Sequence, residues 1–367
     1  MRAASLARLR RIARWFLLLA VAGAAAIGVA CGAGGFESQS KVTSVRIFGV
    51  RADKPYAKPG ETVTLEVLAA DGRRDKPRPM RIFWIPFVCI NPPEDLYYMC
   101  FVPSGVGDAG ADGGARLELP FPIDGGTEGG DAGAGLPAGG DLASIPQNID
   151  LGPFLPQGTT FSFRMPDDVI KERPGAPPYG LAIVFNIACA GQVRFVPPSG
   201  GSRQQIPIRC TDEEGNPLGP DDYVIGINRV YSYVDRENTN PIVERVTLDG
   251  VEVDPARGIT VDRCVAKRRA DCKPVLIDVK VSESSWEENP SIAGQASQRE
   301  QIWVTYYSDL GDFRDEARLL FDTKRGRIDQ SDVEFRPPYE PAEGTIWAVV
   351  HDNRAGAAFV VLPVHVK

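Results

Sequence analysis

The sequence predicts an all-β protein of two successive β-sandwich domains, preceded by an export signal and a short tether. Three observations carry that expectation. Apolar residues recur at period two in short runs across 42–367, the periodicity of strands rather than helices. Turn residues punctuate the runs, with 31 Pro and 38 Gly among 367 residues. The order of strand patterns then begins again after a polar segment at 235–241.

Residues 1–30 hold Arg2, Arg8, Arg10, Arg11 and Arg14 and no acid, followed by an apolar stretch from Trp15 to Ala30. A basic start, a short apolar run and small residues ahead of a cleavage point are the parts of an export signal. At about 1.5 Å per residue the run is short for an ordinary membrane-spanning helix. Val29-Ala30-Cys31-Gly32 resembles the lipobox of bacterial envelope lipoproteins, with Gly28 where that family carries a larger aliphatic residue. The resemblance implies acylation of the Cys31 thiol, cleavage just before it and anchoring in a membrane. Gly32 in place of Asp after the cysteine implies the outer membrane, with the face left open. Ordinary cleavage after Ala24, Ala26 or Ala30, and an uncleaved anchor, remain open readings. Residues 31–41, small and polar after Cys31, read as the lipid-anchored tether.

The whole chain carries a net charge of -7, and loss of the five signal arginines takes it to about -12. No Lys/Arg cluster follows the signal, so a nucleic-acid partner is not expected, and membrane attachment falls to the lipid. Of seven cysteines, six remain besides Cys31. An even number in an exported chain points to disulfides, with fifteen pairings possible in principle. Sequence-local pairing is expected: Cys89 with Cys100, Cys189 with Cys210, Cys264 with Cys272. A thiolate metal site would need short paired spacings such as C-x2-C, which are absent, so no metal and no cofactor are expected.

The first domain is expected over 42–234. Residues 42–49 alternate as an opening strand, and 52–60 with Pro55, Pro59 and Gly60 form a turn. Val63, Leu65, Val67 and Ala69 then mark one face of a second strand. Strand, turn and alternating strand resemble the start of bacterial immunoglobulin-like or fibronectin type III-like domains. The resemblance gives Trp84, in the run 81–85, the role of the buried aromatic of the third strand. It implies two immunoglobulin-like β-sandwich domains, although Cys89 and Cys100 lack the wide cysteine spacing of antibody domains. Residues 104–142, rich in Gly, Asp and Ala around a short strand at 117–121, read as a disordered insertion. Calcium loops require acids at set positions that this segment lacks. Phe161, Phe163 and Met165 share one face of the next strand. Residues 179–188 form the most apolar strand, expected to turn at Ala190-Gly191 into 193–196. Residues 223–227 close the domain.

The second domain is expected over 242–367. Its strands at 242–248, 275–281 and 301–307 match the first, second and third strands of domain one, and 345–350 with 358–361 match the hairpin after 181. The sole short helix foreseen lies at 315–320.

Candidate chemistry is sparse. There are two histidines, His351 beside Asp352 in a hairpin and His365 near the end. A hydrolase built on His351 and Asp352 would need a serine such as Ser308, without the G-x-S-x-G elbow that positions one. Asp352 and Asn353 read as turn caps, with Arg354 exposed. Glu283, Glu287 and Glu288 around Trp286 could line a sugar site, against the simpler reading of a solvated loop with a half-buried Trp. Tyr97, Tyr98 and Phe101, in the aromatic, Pro-rich loop from Ile85 to Pro103, form the candidate binding surface, unless they cover the end of the core. Trp303, Tyr306 and Tyr307 read as buried strand residues. These features predict a noncatalytic envelope lipoprotein acting as a structural, adaptor or binding module, with a protein or glycan partner. An envelope hydrolase acting on glycan or ester is the alternative.

Overall fold

Alternation along the chain becomes strands nearly everywhere. The computed structural model describes residues 38–101, 116–118, 150–174, 176–196, 206–289 and 298–367. The expected signal, Cys31 and most of the expected tether lie outside these residues. So do 104–115 and 119–142 of the insertion, within which Arg116–Glu118 form a strand. The protein is all-β, and its helical turns among the described residues are 3-10 segments of three to five residues. No helix among them is long and apolar enough to cross a membrane.

The strands of the N-terminal half are β1 (Val45–Ala52), β2 (Tyr56–Ala57), β3 (Thr62–Asp71), β4 (Arg81–Ile90), β5 (Arg116–Glu118), β6 (Thr160–Arg164), β7 (Lys171–Arg173), β8 (Ala176–Cys189), β9 (Gln192–Phe195), β10 (Ile208–Thr211) and β11 (Tyr223–Ser232). Those of the C-terminal half are β12 (Val243–Leu248), β13 (Val251–Val253), β14 (Ile259–Val261), β15 (Val275–Val281), β16 (Glu288–Asn289), β17 (Gln298–Arg299), β18 (Ile302–Ser308), β19 (Asp312–Phe313), β20 (Ala317–Asp322), β21 (Gly326–Arg327), β22 (Val333–Arg336), β23 (Ala342–Asp352) and β24 (Ala357–Val366).

The N-terminal half has one open sheet ordered β1-β3-β6 and another ordered β2-β11-β8-β4-β5, with β7 beside β8. The C-terminal half repeats the scheme with β13-β12-β15-β22-β19 and β14-β24-β23-β18-β20-β21. In each half the short second-sheet strand, β2 or β14, lies parallel to the last long strand, β11 or β24. The matches of β12 with β1, β15 with β3 and β18 with β4 follow the sequence repeat. The hairpin match differs. β8 pairs along ten residues with β11, while β9 leaves to pair with β10 in a separate two-stranded sheet. The edge of β8 that a tight turn at Gly191 would have used is taken by the longer strand.

Two cores fill the N-terminal half because β8 is apolar on both faces, as a strand covered on both sides must be. Ala182 and Val184 join Val63, Leu65, Phe163 and Trp84 between the two sheets. Leu181, Ile183, Phe185 and Ile187 point the other way, beneath Cys100, Leu155 and Phe195. Trp84 is fully buried, stacks on Phe161 at 5.3 Å and donates its indole N–H to Gly158 O at 3.0 Å. Pro86 falls in a register shift of β4 between Trp84 and Val88, where a residue without an N–H costs the ladder nothing. The three local disulfides, Cys89–Cys100, Cys189–Cys210 and Cys264–Cys272, are all formed.

Residues 315–320 depart from expectation, since most belong to β20, antiparallel to β18, rather than to a helix. A bulge between Ile302 and Trp303 offsets the pairing, and the adjacent Leu320 and Phe321 are both buried. That adjacency breaks strict alternation and hides the strand.

The halves meet through a small apolar cluster of Val42, Phe48, Trp347 and Val349. Phe48 lies 4.7 Å from Tyr307 and 4.9 Å from Trp347, centroid to centroid. The entering chain bonds to β18 as well, with Val42 N–H donating to Ser308 O and Ser308 N–H donating to Ser40 O, both at 2.8 Å.

Candidate functional site

The segment joining the halves is tied down by side-chain amides. Asn240 donates to Ala52 O of β1 at 2.7 Å and accepts from Ala357 N–H of β24 at 2.9 Å, bridging both halves with one side chain. Asn238 donates to Asp352 Oδ2 at 3.2 Å and to Arg354 O at 3.0 Å. Lys58 reaches Val234 O and Arg236 O, each at 3.1 Å.

Beside this segment, acids gather around one arginine. Arg354 is 4% exposed, not the solvated residue its turn position predicts. Ala355 takes a left-handed φ of 75°, and the turn carries the arginine back over the joining segment. The guanidinium donates to Glu237 O and Glu288 O, lies 3.4 Å from Glu287 Oε2 and 4.0 Å from Glu300 Oε1, and sits over the Tyr56 ring at 5.3 Å. Tyr56 belongs to the N-terminal half, so the arginine touches both. Glu300 is fully buried. Its Oε1 accepts from Glu287 N–H at 2.9 Å, and its Oε2 has no partner among the described residues. Burial, then the charge of Asp352, pushes Glu300 up to about 7. Burial likewise raises Asp352 above the usual carboxylate range.

The predicted site residues distribute as follows. Asp352 is a turn cap, its Oδ1 accepting from Arg354 N–H and Gly356 N–H, both at 2.7 Å. His351 points to the opposite face of the strand, as neighbours in a strand do, and stacks on Trp303 at 5.4 Å. Burial lowers its pKa. Ser308 pairs with Ile346 whereas His351 pairs with Trp303, five positions apart along β18. At 3.3 Å per residue that separation is about 16 Å, so Ser308, His351 and Asp352 do not assemble. Ser308 instead donates its hydroxyl to Thr345 O at 3.0 Å.

Trp286 stacks with Phe321 at 5.9 Å and carries the Arg299 guanidinium at 4.5 Å, so its ring is engaged within the protein. Glu283 pairs with Arg327 at 3.5 Å, Glu287 joins the Arg354 cluster, and Glu288 is exposed. The three acids do not converge on the indole.

Tyr97 and Phe101 pack against the outer core, Phe101 lying 4.9 Å from Phe185 and 5.7 Å from Phe87. Tyr98 meets Tyr97 edge-on at 5.7 Å. The loop is pinned from below, with Asp95 accepting from the Tyr179 hydroxyl and pairing with Arg173 at 3.1 Å. The hydrogen bond to Asp95 adds to burial in raising Tyr179 to about 12. These aromatics therefore roof the core while remaining half-exposed.

A cavity of about 410 Å³ opens beside the cluster, between β1, β11 and the β23–β24 hairpin. Val224 to Arg229 and Ile47 to Val50 line it, together with His351 and Asp352. No group of three or more His, Cys, Asp or Glu suited to a metal ion occurs among the described residues. Sequence reasoning missed Asn240, Glu300 and the burial of Arg354. Nothing local in the chain marks them, because each acquires its role from a partner between about 50 and 190 residues away in sequence.

No protein-family model and no curated protein sequence matches this chain. Among solved structures it is similar to dimeric latent PorU from Porphyromonas gingivalis, at 12% identity and a TM-score of 0.20, over 89% of this chain and 24% of that one. It is also similar to Escherichia coli alpha-2-macroglobulin activated by porcine elastase, at 10% identity and a TM-score of 0.19, over 91% of this chain and 23% of that one. The chain spans about a quarter of the length of each. Likenesses at these TM-scores carry no argument about fold or chemistry.

Proposed function

We propose that this chain is a noncatalytic cell-envelope lipoprotein, exported by residues 1–30 and held at the outer membrane through acylated Cys31. In this reading its two immunoglobulin-like sandwich domains, 42–234 and 242–367, serve as a structural, adaptor or binding module. The repeated sheet order supports the architectural part. In both halves one short strand runs parallel to the last strand of the second sheet, as in an immunoglobulin-like first strand that divides between sheets.

One observation carries the functional part. The Ser308 hydroxyl and the Asp352 carboxylate are bound to the protein's own main chain, and two unbroken runs of strand residues line the cavity beside Asp352. Such a site suits recognition by main-chain pairing rather than proton transfer.

Two measurements test the reading. Cys31→Ala should abolish acyl labelling and release the protein from the membrane fraction. An unchanged membrane-bound fraction would overturn the anchoring. Purified protein should show no ester or glycan turnover that depends on His351. Turnover lost in His351→Ala would overturn the noncatalytic assignment.

A further inference from the structure

Side chains in a strand alternate between faces, so an unbroken run of lining residues means that the strand's edge bounds the space. The cavity at the junction has two such runs, Val224 to Arg229 on β11 and Ile47 to Val50 on β1. β11 is paired with β8 along one side for its whole length, whereas on the other side β2 covers Tyr231 and Ser232 alone. β1 is paired with β3 along one side, and its other edge meets the turn that leads into β11, where Val45 N–H donates to Asp221 O at 2.8 Å. Beyond that bond the two edges face each other across the cavity.

The direction of the main-chain groups on that edge follows from two bonds. Tyr233 N–H donates to Ala57 O on the open side, while Asp222 O accepts from Ala190 N–H on the β8 side. Peptide direction alternates along a strand, so the N–H groups of Ile225, Ile227 and Arg229 face the cavity. The last strand of the other half is treated differently. Near its start β24 is met by β1, with a Cβ built on Gly49 lying 3.3 Å from the Phe359 ring and Arg51 lying over that ring at 5.3 Å. Among the described residues, no strand pairs with the β11 edge between Ile225 and Arg229.

Two further features favour a polar occupant. Asn186, fully buried in β8, has an Nδ2 with no hydrogen-bond partner among the described residues. That nitrogen lies 3.4 Å from where a Cβ on Gly226 would stand, immediately behind the cavity wall. Arg229 is exposed and makes no ion pair among the described residues. The other ionisable groups lining the space are committed: Asp352 to hairpin amides and Asn238, His351 to its stack on Trp303. The charge left to an occupant is positive.

We propose that this slot receives an extended segment of a partner protein, added as a strand to the β11 edge, with an acidic side chain opposite Arg229. The proposal rests on the binding-module reading and supplies its partner's chemistry. Main-chain pairing with Ile225, Ile227 and Arg229 gives affinity, and the charge gives register. The probe is a displayed library of random octapeptides selected on the purified, disulfide-intact protein. Enriched peptides should carry an acid among strand-forming residues. At saturation they should slow hydrogen exchange at Ile225, Ile227 and Arg229 by about tenfold or more. Arg229→Glu should weaken binding by about tenfold. Ile227→Pro removes an edge donor and should abolish binding with all three disulfides still paired. Should that variant misfold, exchange and Arg229→Glu decide. The proposal is overturned if no peptide is enriched, or if bound peptides leave the three amides unprotected. It is also overturned if those amides are already protected in the free protein, by its own chain or, on sedimentation, by a second copy. Acyl labelling and His351-dependent turnover are independent of these outcomes, so the broader reading stands or falls separately.

Discussion

Glu300→Gln should make the protein more stable at neutral and alkaline pH, and the gain should grow as the pH rises. Glu300 is fully buried, one of its oxygens is unpartnered, and its pKa stands near 7 against 4.5 for a free glutamate. The folded state therefore holds a proton that the unfolded chain gives up. Below pH 4.5 both states are protonated and the group exacts nothing. Between 4.5 and 7 the unfolded chain is favoured progressively, and above 7 the full penalty applies. A shift of about 2.5 units at 1.36 kcal/mol per unit amounts to about 3 kcal/mol. Glutamine imitates the protonated acid and retains an oxygen for the Glu287 N–H, so the variant should avoid most of that penalty. His351 pulls the other way, since its lowered pKa makes stability rise with pH, but it is common to both proteins and cancels in the difference. The assay is urea unfolding of both proteins at pH 4.5, 6, 7 and 8 with disulfides intact, followed by tryptophan fluorescence, to which Trp84, Trp286, Trp303 and Trp347 of the folded body contribute. A difference that is flat with pH, or that favours the wild type increasingly above pH 7, would refute the account of a buried carboxyl held uncharged.

Two perturbations elsewhere follow from packing. Phe48→Ala empties the aromatic cluster between the halves and should cost about 3–5 kcal/mol. It should also split a single unfolding transition into two, which calorimetry would register. Cys189→Ala with Cys210→Ala opens a 21-residue separation and should cost about 2–4 kcal/mol, which urea unfolding would register as a lowered midpoint.

Much of the strand inventory was legible because each inner face buries residues at period two. Val63, Leu65 and Val67 are buried as their alternation requires, and Trp84 occupies the core as its place in the third strand implies. Local sulfur pairing was legible because the nearest cysteines lie on adjoining segments. What escaped depends on long-range partners or on broken periodicity. Leu320 and Phe321 hid a strand by being buried side by side across a bulge. The departure of β9 from β8 was invisible because Tyr223–Ser232, arriving some thirty residues later, competes for the same edge. Arg354 looked solvated because a turn arginine ordinarily is, and the acids and carbonyls that bury it lie in two distant segments. The aromatics Tyr97 and Phe101 were recognisable as a cluster, but their chemistry alone did not say that they face Phe185 as well as solvent.

The chain enters its folded body at Ser40–Val42, and there it fastens first to β18, a strand of the half that is synthesised last. Under the proposed anchoring this has a mechanical meaning. A load applied through the tether would meet hydrogen bonds to the C-terminal half before it reached β1, so both halves would resist together. During synthesis the seat for Ser40–Val42 does not exist until residue 308 has been made, and the membrane-proximal end would be the last part of the molecule to lock.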